Sequence, residues 1–114
     1  SNIMKPIPRS LLIHSVKAIP YSEPDMWGKA AEQPSVDITN VRIEPSSALK
    51  VSSRNEQVQV DAVLIYDCRN SRPKGHDFSH TEKIIANGST CKVVSVEKLF
   101  DESRLHHLEV SLCL

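Results

Sequence analysis

The sequence predicts a small all-β domain, a barrel or sandwich of about six mostly antiparallel strands with two long loops. Three observations carry that expectation. Short runs with period-two alternation of apolar and polar residues recur along the chain, most clearly at Val58, Val60, Ala62, Leu64 and Tyr66. Asn87-Gly88 sits between two such runs and marks a tight hairpin, because both residues accept positive φ. No stretch keeps a helical period, and seven prolines punctuate the rest.

Taken in order, residues 11–18 read as the first strand. Leu12, His14, Val16 and Ala18 share one face and Leu11, Ile13, Ser15 and Lys17 the other, with Pro6, Pro8 and Pro20 as flanking breakers. Residues 21–35 form the first long loop. One helical turn fits at residues 29–32, and Pro34 stops anything longer. In residues 36–43 the apolar phase changes: Val36 and Ile38 have one parity, Val41 and Ile43 the other. A bulge near Asn40 would reconcile the two, and residues 44–47 close the segment with turn formers. Residues 57–67 read as one continuous strand, half-exposed at its start and buried on both faces at its end, where Val63 and Ile65 join Leu64 and Tyr66. Residues 68–81 are the second long loop. Residues 82–86 and 92–96 flank the Asn-Gly turn, with Val94 and Val96 on one face and Val93 on the other. A last strand runs over residues 105–113, where Leu108, Val110 and Leu112 alternate with His107, Glu109 and Ser111.

Composition narrows the function classes. With 114 residues the chain is one domain, residues 4–114. Ser1-Asn2-Ile3 reads as a remnant of tag cleavage, Met4 as the native start, and no cationic segment followed by an apolar one marks a secretory signal. Fourteen basic residues balance fourteen acidic ones, which argues against a general nucleic-acid coat or an anionic-membrane binder. No apolar run is long enough for a membrane-spanning helix. Three glycines are too few for a glycine-rich phosphate loop. Cys68, Cys91 and Cys113 are odd in number and lack close spacing, so they read as reduced thiols packed as small hydrophobes.

Several constellations could carry chemistry. Cys68, His76, His80 and His107 are candidate zinc ligands, but the set lacks a second close cysteine, and adjacent His106 and His107 should point to opposite faces of a strand. Cys91, His80 and Asp77 can be written as a nucleophile, base and orienting acid, without a signature to single them out. The expectation is therefore no enzymatic activity, no metal and no cofactor. Arg69, Arg72 and Lys74 form the concentrated basic loop. It could meet a phosphate backbone or pair with a neighbouring subunit, and with aromatics at 4% no stacking platform accompanies it. Met26 and Trp27 lie in the first long loop. An aromatic there serves either as a lid over one end of the sheet or as a subunit-interface anchor.

Met4-Lys5-Pro6-Ile7-Pro8 with the strand after it, residues 40–47, Tyr66-Asp67-Cys68-Arg69-Asn70-Ser71-Arg72-Pro73, Ile85-Ala86-Asn87-Gly88 with residues 93–97, and Leu105-His106-His107-Leu108-Glu109 form an ordered set. In this order and spacing the chain resembles the minor capsid proteins of tailed phages and prophages of Gram-positive bacteria, over nearly its whole length. Cys68 beside Arg69 departs from that pattern, which expects an uncharged side chain in the loop. The resemblance implies a small β-barrel without enzymatic chemistry that acts as a head-tail connector or head-completion subunit. Such a subunit sits in the virion neck beneath the portal, after assembly in the host cytoplasm. It implies a homo-oligomeric ring built from subunits that can be monomeric beforehand, with portal, other connector proteins and tail proteins as partners, packaged DNA adjacent to the basic loop, and no membrane. The competing expectation is a free-standing module that binds nucleic acid or protein through residues 69–74.

Overall fold

The computed structural model describes residues 6–21, 26–28, 34–51 and 54–114. Among the described residues, a 3-10 turn at Arg9–Leu11 precedes eight strands. Six of them close a barrel: β1 (His14–Pro20), β2 (Val36–Pro45), β5 (Ala62–Asp67), β8 (Arg104–Cys113), β7 (Ser89–Asp101) and β6 (Thr81–Ala86), in that spatial order, with β6 returning to β1. Every neighbouring pair is antiparallel. Closure leaves the barrel no free edge. The remaining two strands, β3 (Leu49–Val51) and β4 (Gln57–Gln59), pair only with each other and form a separate ribbon between β2 and β5.

Period-two alternation places the core. Val16 and Ala18 of β1, Leu64 and Tyr66 of β5, Ile84 of β6 and Leu108, Val110 and Leu112 of β8 point inward and are buried together with Phe78 and Cys91. The first strand begins later than its alternation suggests, because residues 9–11 coil before β1. Leu12 is nevertheless buried. The bulge expected near Asn40 is present. His14 pairs with Val41 and Val16 with Ile38, so Ser15 alone faces Thr39 and Asn40, and Asn40 has φ 55°. The extra residue lets Ile38 and Val41, of opposite parity, both enter the core. The Asn87-Gly88 turn has φ 51° and 78°, and Ala86 pairs directly with Ser89, which is the geometry of a two-residue hairpin.

Three readings of the sequence change. The run 57–67 is two strands, broken at Val60 and Asp61. There the backbone switches partners: Val60 N donates to Ala48 O at 2.8 Å, while Asp61 N donates to Leu112 O at 2.8 Å. Side-chain parity is kept across the break, so the pattern alone cannot reveal it. Val93 and Val96, rather than Val94 and Val96, pack against the core, because Val94 is bulged between the pairs Val93–Leu112 and Ser95–Ser111. His106 and His107 do not diverge. A second bulge, between the pairs Leu99–His107 and Phe100–Leu105, brings their rings together at Nδ1–Nδ1 2.8 Å.

Candidate functional site

The second long loop begins as a tight polar knot at the end of β5. Asp67 is fully buried. Its Oδ1 accepts from Ile7 N at 3.2 Å, and its Oδ2 accepts from Asn70 N at 2.9 Å and Arg69 N at 3.3 Å. An aspartate at a strand end turns the chain in this way because its side chain stands in for the next backbone acceptor. Ser71, also fully buried, receives Asp67 N on its Oγ at 2.9 Å and donates the hydroxyl to Asn40 O. Asn70 Nδ2 donates to Ile7 O at 2.8 Å, and Asn40 Nδ2 donates to Asn70 O at 3.2 Å. Arg72 and Thr39 exchange two backbone bonds, at 3.0 and 2.8 Å, ahead of a cis Arg72–Pro73 bond. Ile7, Asn40, Asp67, Asn70 and Ser71 come from three of the segments on which the family resemblance rests. They are the joints of one end of the barrel.

The basic loop is positioned by this knot. Arg72 Nη1 donates to Arg69 O at 2.8 Å and to Ser71 O at 2.9 Å, so its guanidinium braces the turn while the residue stays exposed. Arg69 is exposed and lines a cavity of about 80 Å³ with Pro6, Asp67, Asp101, Arg104 and His106. Lys74 is exposed past the cis bond, on the stretch that Tyr66 anchors by donating its hydroxyl to Pro73 O. Two further arginines join the group. Arg9 Nε donates to Asn70 Oδ1 at 3.4 Å, and Arg104 borders the same cavity as Arg69. Arg9 and Arg104 lie far from residue 69 in sequence, and no local pattern marks them.

Met26 and Trp27 occupy the connection between β1 and β2 and are 88% and 81% exposed. At that exposure Trp27 does not cover an end of the barrel. The one-turn helix expected at residues 29–32 lies outside the described residues.

The titratable groups considered for catalysis or metal binding are dispersed. Among the described residues, no three His, Cys, Asp or Glu side chains come close enough to hold a metal ion, so Cys68, His76, His80 and His107 do not form a ligand set. Cys91 faces the barrel interior, whereas His80 and Asp77 are exposed. Burial pushes the thiols of Cys91 and Cys68 up, aided by the negative charges of Asp61 and Asp67 respectively, so neither thiolate is favoured. Burial also lowers His76, against a smaller opposing effect of Asp77. Its ring stands edge-on to Phe78 at 4.4 Å, and its Nδ1 is buried without a partner among the described residues. Asp77 is held below its usual range by the backbone N–H and hydroxyl of Ser79, at 3.0 and 2.8 Å. Burial raises Tyr66, whose hydroxyl also accepts from His76 N at 3.3 Å.

The closed barrel thus carries exposed arginines at one end and the exposed Met26 and Trp27 on its β1–β2 connection. The chain belongs to the minor capsid protein family: the family's model, described as minor capsid protein, matches residues 8–112. It is therefore a structural phage protein associated with the virion. No curated protein and no solved structure matches it. Among the described residues, no helix is long and apolar enough to cross a membrane.

Proposed function

We propose that the chain is a head-tail connector subunit that assembles at the portal-proximal neck, completes the head and joins the tail. The family's structural role in the virion supports this reading. The observation that carries it is the pair Met26 and Trp27, 88% and 81% exposed on a connection outside a closed barrel. An indole 81% exposed is the kind of large aromatic side chain that anchors interfaces. A ring requires heterologous contacts whose rotation closes, and a closed barrel offers such contacts through its excursions rather than its strand edges. Portal, connector and tail proteins are the partners this placement requires. Individually weak contacts repeated around a ring give avidity.

Electron microscopy of particles made without the protein tests the reading. The expected result is filled or leaking heads that lack tails; normal tailed particles would refute it. Trp27→Ala is expected to leave the folded monomer unchanged, within about 0.5 kcal/mol as for an exposed position. The same variant should reduce incorporation into particles.

A further inference from the structure

We propose that Arg9, Arg69, Arg72 and Arg104 together form a docking surface for the phosphodiester backbone of duplex DNA. The proposal rests on the virion reading above, since the virion supplies the polyanion. The four arginines come from four segments: the 3-10 turn, the turn after β5, the residue bridged to Thr39, and the start of β8. All four are exposed. The Asp67 knot gathers them: Arg9 Nε reaches Asn70 Oδ1, Arg72 Nη1 caps Arg69 O and Ser71 O, and Arg69 and Arg104 flank one cavity.

The acidic groups nearby do not cancel this charge at the surface. Asp67 and Asp101 are buried, and the Asp67 carboxylate already accepts three backbone N–H groups. Glu102, in the turn before β8, is the exposed acid next to Arg104. Among the described residues, these four exposed arginines and the exposed Glu102 thus gather on a chain whose net charge is zero. Arginine suits phosphate better than lysine, since its planar fork donates two parallel bonds. Holding two guanidiniums by bonds to the turn cuts the ordering cost of a contact. Phe100, 58% exposed, pairs with Leu105 beside Arg104, but a ring at that one position makes no row of stacking platforms, and arginines that read phosphate favour the uniform backbone of a duplex over unstacked bases.

Fluorescence anisotropy of the purified chain with a labelled duplex, titrated in salt, tests the proposal. Four phosphate contacts give a slope of log Kobs against log salt of about −3.6, a loss of roughly 150-fold in affinity between 50 and 200 mM salt. Arg69→Gln with Arg104→Gln should halve the slope to about −1.8, and the Arg→Lys pair should restore most of it. Lys83→Gln with Lys92→Gln removes the same charge from a facing pair on β6 and β7 and should leave the slope unchanged. Circular dichroism should show every variant folded. No binding at 50 mM salt, or equal loss from the lysine pair, overturns the proposal. So does binding of polyglutamate without binding of DNA, which would assign the surface to an acidic protein. Failure here with tailless particles still formed in the deletion would leave the neck reading standing.

Discussion

The Asp67 turn and the β3–β4 ribbon are both short departures from the barrel, and they are held in opposite ways. The turn is pinned from inside, with the buried Asp67 and Ser71 using backbone and side chain to join the N-terminal segment, β2 and β5. The ribbon stands over the outer surface of β7 and β8, tethered by Lys50, whose Nζ lies 2.6 Å from Glu97 Oε1 and 2.9 Å from Ser111 Oγ. Its other face carries Leu49 and Val51, each 63% exposed, opposite Gln59 and Gln57. Buried polar groups that are fully paired specify one geometry, whereas a partly solvated ion pair does so only weakly. The difference separates the part of the molecule that fixes its shape from the part left open to neighbours.

The largest losses are expected in the core. Leu64→Asp, and likewise Val60→Asp, should abolish folding, since each buries an unpaired charge at a position essentially closed to water. Loss of the β spectrum at 25 °C is the expected readout. Asp67→Ala comes next. It strands three backbone N–H groups and should cost about 3–5 kcal/mol in urea unfolding. A cost under about 1 kcal/mol would mean that the knot is not what holds that end together.

Smaller effects sharpen the contrast. Tyr66→Phe removes the bond to Pro73 O and the acceptor for His76 N, and should cost about 1–2 kcal/mol by the same assay. His76 is lowered in the folded state by burial, so the unfolded chain takes up its proton first as pH falls. Its contribution is therefore present above about pH 6.5 and is lost as pH drops below that value. His76→Asn should flatten that part of the difference between urea midpoints at pH 7.5 and 5.5. Lys50→Ala should have the smallest effect on global stability, under about 1 kcal/mol, because its ion pair is partly solvated. It should still speed amide exchange in β3 and β4 while leaving β5 unchanged. Equal acceleration in β5 would show that the ribbon and barrel open together.

Much of the barrel was legible in the sequence because its signals are local. The alternation through Leu64 and Tyr66, the phase change at Asn40 and the Asn87-Gly88 pair each act over a few residues, and each has its structural counterpart. What was hidden depends on partners. The break at Val60 and Asp61 keeps parity and changes only the strand to which the backbone bonds. Leu49–Val51 is too short to show a period and becomes a strand only because Gln57–Gln59 returns beside it. The meeting of His106 and His107 follows from a bulge set by the facing strand. The basic surface was half visible: Arg69, Arg72 and Lys74 are adjacent in sequence, while Arg9 and Arg104 reach it only through folding.

Cryo-electron microscopy of intact particles, with the subunit located in the density, decides whether the chain is a neck subunit. The expected result is the closed barrel repeated as a ring at the portal vertex, with the connection bearing Trp27 against another subunit. The barrel found scattered over the shell lattice, or absent from mature particles, would contradict it.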